Sequence, residues 1–151
     1  MSNLTIPRPF RRVLATDAAW APLILRLAIG VIFVAHGAQK LFGAFDGTVR
    51  PIASQMGLAG MIEFGGGMLI MVGLFAALAA FVCSGQMAVA YVIAHAPRGG
   101  WPIQNDGELA VLFCFVFLFV AARGSGIWSL DAWLQRRRPM AISHAGSTSR
   151  A

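Results

Sequence analysis

The side chains best equipped for chemistry in this chain stand inside, or at the ends of, long apolar runs. His36 and Lys40 lie four positions apart in the first run, so a helix carries both on one face. Glu63 interrupts the second run, His95 closes the third, and Asn105, Asp106 and Glu108 open the fourth. Ionisable groups in hydrocarbon are costly, so each is a candidate for function or for pairing. Imidazole and ammonium donate hydrogen bonds to carbonyl oxygens, and imidazole and carboxylate pass protons. A ligand carrying polar oxygens suits that chemistry, and the candidate ligand-binding residues are His36, Lys40, Glu63, His95 and Glu108. A Glu63–Lys40 or Glu63–His36 pair would lower the cost of burial, and such a pair also fits a purely structural role. Lys40 and Glu108 sit near helix ends, from which long side chains reach water, so an interfacial role fits them equally. Asp106 reads as a plain N-cap, an acid just ahead of a helix start.

A second pair is expected at the opposite level. Arg26 lies one turn into the first run and Asp131 follows the last, and an Arg26–Asp131 ion pair would pin the first helix to the C-terminal segment. A self-contained catalytic set is absent from the sequence. Cys83 and Cys114 are the two cysteines, each alone in an apolar run, which excludes a CxxC redox or metal motif and leaves them as packing residues. No metal site is expected. As axial haem ligands His36 and His95 fit poorly, since a difference of about five residues in distance from their helix ends is a depth mismatch of about 7 Å.

The elements that must position these groups follow from composition. Of 151 residues, 58% are hydrophobic and 12% charged, with a mean hydropathy of +0.70. A soluble domain carries about 25% charged and about 45–50% apolar residues, so the surplus apolar surface calls for lipid. The net charge of +6 comes with Arg8, Arg11 and Arg12 before the first run and Arg136, Arg137 and Arg138 after the last. That flanking placement follows the positive-inside rule and argues against a nucleic-acid partner. The first run leads into His36-Gly37-Ala38-Gln39-Lys40 and not into a small-residue cleavage site, so it is expected as a retained helix.

Span one is expected from Pro22 to Phe42, with Thr16 or Asp17 as a cap and Pro22 in the first turn. A loop covers 43–57. The stretch from Leu58 to Ala96 is too long for one crossing, so it divides at Gly73-Leu74-Phe75 into spans of roughly Gly60–Val72 and Ala77–His95, the first of which is short for a crossing and so expected to begin nearer Leu58. After a polar loop at 97–106, span four runs from Gly107 to Ala122, followed by an amphipathic segment, Ile127 to Leu134, with Trp128 and Trp133 suited to the headgroup level. Gly65, Gly66 and Gly67, then Gly73 with Ala76, Ala77 and Ala80, are expected to let helices approach closely. The expected fold is all-α, an integral membrane bundle of four transmembrane helices with both termini cytoplasmic. Its organisation is a basic N-terminal segment at 1–19, the helical domain at 20–135, and a basic tail at 136–151, expected to be disordered.

Several motifs in this order resemble the DoxX family of small bacterial inner-membrane proteins. They are Leu25-Arg26-Leu27-Ala28, His36-Gly37-Ala38-Gln39-Lys40-Leu41-Phe42-Gly43, Glu63 ahead of Gly65-Gly66-Gly67, and Gly73-Leu74-Phe75. Asn105-Asp106-Gly107-Glu108-Leu109-Ala110 and Gly126-Ile127-Trp128-Ser129-Leu130-Asp131 complete the pattern, which departs at Ala77, where a polar or basic residue is usual. The resemblance implies a four-helix bundle in the inner membrane and a link to redox metabolism, since relatives include membrane subunits of thiosulfate:quinone oxidoreductases. The expected function is then a membrane subunit of a redox assembly, contacting quinone through the polar cluster at the outer face. With no flavin or nucleotide motif, electrons must come from a partner protein of the complex. The alternative is a non-catalytic anchor or structural subunit of a larger membrane complex. The lipid bilayer is a partner in either case, a homo-oligomer fits both, and no covalently bound cofactor is expected.

Overall fold

The computed structural model describes residues 20–137. The expectations for segment 1–19, including the cap at Thr16 or Asp17, and for the tail beyond Arg137 lie outside the described residues. Helix α1, Ala21–Phe42, starts with Pro22 in its first turn and ends where Gly43 turns left-handed at φ 71°. Helix α2, Gln55–Val72, is capped by Ser54, whose Oγ accepts from the Gly57 N–H at 3.1 Å. It therefore begins earlier than the expected start near Leu58. Hydropathy discounts Gln55 and Gly57, whereas the cap, and the burial of Gly57 against the Pro51 backbone, start the helix there.

Helix α3, Ala76–Ala90, continues through a π turn, Tyr91–His95, and a 3-10 turn, Ala96–Arg98. Helix α4 is Glu108–Arg123, and a short α5, Leu130–Arg136, is capped by Ser129, whose Oγ accepts from the Ala132 N–H at 3.1 Å. Among the described residues every regular element is helical. The continuous helices Ala21–Phe42, Gln55–Val72 and Ala76–Arg98 are long and apolar enough to cross a membrane. The 16 residues of α4 rise about 24 Å.

The four longer helices pack in sequence order, α1 on α2, α2 on α3 and α3 on α4, with α4 touching α1. Phe33 closes the ring, its centroid 5.6 Å from that of Phe113 and 4.6 Å from that of Phe117. The α1–α2 seam is built on glycine. A Cβ at Gly37 would strike the backbone nitrogen of Phe64 and lie 2.8 Å from the Gly60 carbonyl oxygen, and one at Gly67 would lie 3.0 Å from the Gly30 oxygen. Of the glycine triplet singled out in the sequence, Gly67 serves this seam and Gly66 sits against the Cys83 sulfur, while Gly65 faces open space.

At the end of the bundle that holds the α2–α3 turn, Arg26 is 1% exposed. Its guanidinium donates to the carbonyl oxygens of Ile70, at 3.4 Å, and of Trp128. Asp131 accepts from the N–H groups of Phe75, at 2.9 Å, and Ala76, at 3.3 Å, and from the Ser125 hydroxyl. The direct Arg26–Asp131 ion pair expected from the sequence is thus not formed. Each charge meets a helix terminus instead, the cation at the carbonyl end of α2 and the anion at the N–H end of α3, where the backbone dipoles favour them. Gly73, at φ 72°, lies beneath the Arg26 guanidinium, which leaves no room there for a Cβ.

Burial pushes the Asp131 carboxyl up. The Ser125 hydroxyl, the Phe75 and Ala76 N–H groups and the Arg26 charge outweigh it and hold the group below its ordinary value. A carboxyl depressed in the fold stabilises above its unfolded pKa, about 3.9, and that contribution is lost as pH falls through the folded value. Asp131→Asn is therefore expected to melt below the wild type at neutral pH, by about 1 kcal/mol, because the amide loses the charge that strengthens the bonds from Phe75, Ala76 and Ser125. The gap should close in acid below about pH 4. A difference in melting temperature that persists unchanged into acid would contradict it.

Candidate functional site

Lys40, in the last turn of α1, and Glu63, midway along α2, face each other across the glycine seam. The Lys40 ammonium donates to both carboxylate oxygens of Glu63. The Glu63 side chain is 2% exposed and that of Lys40 27%, so the anion lies deep and the cation nearer the rim. Between the two partners the sequence offered Glu63, the structure gives it Lys40 and not His36. Gln86 of α3 completes the group, its Nε2 donating to Glu63 Oε1 at 3.4 Å. The amide is oriented by that carboxylate, which accepts only. Its own Oε1 is buried and has no hydrogen-bond partner among the described residues.

These groups form the polar end of a cleft of about 510 Å³ between α2 and α3. The two helices are held together by the tight Gly73 turn and by the contact of Gly66 with Cys83. Beyond that level the gap opens, and at Gly85 a Cβ would meet nothing within 4 Å. Phe33 of α1 and Phe113 of α4 line its back, with Ile62 and Met87 on its sides. His36 lines it one turn before Lys40, half-buried and without a hydrogen bond to any described residue. His95 lines its rim, where its Nδ1 lies 3.1 Å from the Asn105 carbonyl oxygen and 2.8 Å from an Arg98 guanidinium nitrogen.

The structure thus gathers His36, Lys40, Glu63 and His95 around one cleft and leaves Glu108 out. Glu108 is exposed on the outer face of α4. The buried positions of that helix are Ala110, Phe113, Phe117 and Val120, and Glu108 lies about 200° around the helix from Ala110. Asp106 is corrected as well. It adopts φ 55°, its side chain is 88% exposed, and it pairs with Arg98 at 3.5 Å. The buried Asn105 secures the start of α4 instead, its Oδ1 accepting from the Gly107 N–H at 2.9 Å and its Nδ2 donating to the Gly99 oxygen at 2.8 Å. Gln86 carries no charge, so the cost of burying ionisable groups does not point to it. The available signal was a lone amide within the apolar run from Ala76 to Ala94.

In the low dielectric of such a cleft each hydrogen bond is strong and each unmet polar atom costly. The arrangement offers donors, His36 and Lys40, and an unmet acceptor, Gln86 Oε1. It therefore suits an apolar group that carries oxygens able both to accept and to donate. Among the described residues no three of His, Cys, Asp and Glu gather to hold a metal ion.

The family model for DoxX matches residues 21–96, about half of the chain, covering α1, α2 and α3 with the rim residue His95. An uncharacterized protein of Haemophilus influenzae is 37% identical over 114 residues, which cover 71% of this chain and 85% of the relative. An uncharacterized membrane protein of Mycobacterium tuberculosis is 25% identical over 144 residues, covering 83% of this chain and 88% of the relative. No solved structure matches the chain. The family model covers half of the chain and the Haemophilus influenzae relative is 37% identical over 71% of it, so the chain belongs to the DoxX family.

Proposed function

We propose that this protein is the quinone-binding membrane subunit of a redox assembly in the bacterial inner membrane. On this reading α4 is the fourth span. Its apolar 16 residues pack along α3 and return the chain to the side of its origin, with both basic termini in the cytoplasm. The cleft then faces the outer leaflet. One observation carries the ligand: a largely apolar cleft ends in a buried ion pair beside a buried amide oxygen that lacks a partner.

A quinone supplies two carbonyl oxygens that become hydroxyls on uptake of two electrons and two protons. His36 donates to a carbonyl oxygen, and Gln86 Oε1 accepts from a hydroxyl. Glu63, steadied by Lys40, holds or releases a proton beside them. Cys83 and Cys114 form no disulfide and the chain carries no flavin motif, so the electrons come from a partner subunit.

Gentle purification from the native membrane, with mass spectrometry of co-purifying proteins and extracted quinones, tests this. The wild type is expected to retain quinone near one per chain, and Glu63→Gln to lose it by about tenfold with its fold intact. A stoichiometric partner complex that holds no quinone would replace this reading with that of a structural anchor.

A further inference from the structure

Where the cleft opens decides how a ligand reaches it. Phe33 of α1 and Phe113 of α4 stand at the back, so the open side is the gap between α2 and α3. The side chains flanking that gap are apolar and outward, with Leu58 of α2 54% exposed and Val89 of α3 53% exposed. In a membrane-spanning bundle such surfaces lie against lipid chains, so this side of the mouth opens sideways into hydrocarbon, while the rim at Gln55, His95 and Asp106 meets the polar loops. One turn before Val89 on α3, beside Gln86 at the level of the buried polar end, stands Gly85, with no side chain and open space where a Cβ would be. A glycine costs about 1 kcal/mol in a helix relative to alanine. Gly85 makes no close backbone approach that would explain it, unlike the glycines of the α1–α2 seam.

We propose that the α2–α3 gap is a lateral portal, through which an amphiphile with a single linear hydrocarbon chain slides in from the bilayer. Its headgroup rests on Gln86 and the Lys40–Glu63 pair, and its chain trails out past Gly85 between Leu58 and Val89. This deepens the quinone reading and rests on it, assigning the ligand to the long-chain, membrane-resident class. The cleft, at about 510 Å³, has the size of a site for one small molecule, which suits one ring with the first part of one chain.

Gly65 supplies a matched control. It is a lipid-exposed helical glycine with nothing within 4 Å of its Cβ position, and it does not line the cleft. The test measures dissociation constants in lipid nanodiscs for a decyl-substituted dimethoxy-methyl-benzoquinone and for its tail-less parent. Gly85→Phe is expected to weaken the decyl compound by about tenfold while leaving the tail-less one within about twofold. Gly65→Phe should leave both within about twofold, so membrane partitioning cancels in the comparison. Val89→Trp, one turn further along the same mouth, repeats the obstruction should Gly85→Phe fold poorly. Equal weakening of both compounds, or of neither, would overturn the portal while the quinone reading stands. Failure of the wild type to bind either compound would remove the quinone reading itself, and the portal with it.

Discussion

Replacing Lys40 by methionine is expected to destabilise the folded protein by about 3 kcal/mol, and adding Glu63→Leu is expected to recover most of that loss. The physical reason is the position of the anion. Glu63 is 2% exposed, and without Lys40 its charge faces only the Gln86 amide, 3.4 Å away. A lone buried carboxylate costs far more than a pair replaced by apolar groups of similar volume. Unfolding by a graded denaturing detergent, for the wild type, the single and the double variant, reads both differences. If Lys40→Met unfolds with the wild type, the Lys40–Glu63 pair does not hold the fold. The double variant has a second use. It keeps the helices and removes the ionic end of the cleft, so quinone retained at wild-type occupancy by that variant would sink the binding role of the pair.

The second large effect is expected at the glycine seam. Gly37→Leu should cost about 3 kcal/mol, at the upper end of the range for overpacking. Its Cβ would strike the Phe64 backbone nitrogen and lie 2.8 Å from the Gly60 carbonyl oxygen, and neither can swing aside as a side chain would. The helices must separate. Because Gly37 lies three residues before Lys40, that separation also draws the ammonium away from Glu63. Gly65→Leu, set in open space on the same helix as Gly60, should be neutral or slightly stabilising. Equal stability of the two leucine variants in the same detergent titration would refute the seam. Small residues matter more between membrane helices than in water, because lipid matches any apolar side chain and only close backbone approach improves on it.

Several features of the fold were legible from local sequence because local sequence causes them. Gly73 ends α2 because it can adopt φ 72°, and Pro22 opens α1 where its missing N–H costs nothing. Three runs are apolar enough to cross a membrane whatever they pack against. The boundaries erred where a side-chain cap mattered more than hydropathy, as at Ser54, whose hydroxyl draws α2 back to Gln55.

What belongs to the site divides differently. Spacing alone puts His36 and Lys40 on one helical face, and burial cost alone requires Glu63 to find a partner. Spacing cannot say how a neighbouring helix is rotated. That rotation turns Glu108 outward and brings Gln86 inward against Glu63. It also sends Arg26 to the carbonyls of Ile70 and Trp128, and Asp131 to the N–H groups of Phe75 and Ala76, when charge alone would have joined the two. The sequence by itself determined the helical, membrane-embedded class, because hydropathy and capping act over a few residues. Only the tertiary structure decided which polar groups share a cleft, because helix rotation is set by the glycine seam and the Gly73 turn, through contacts between residues far apart in the chain.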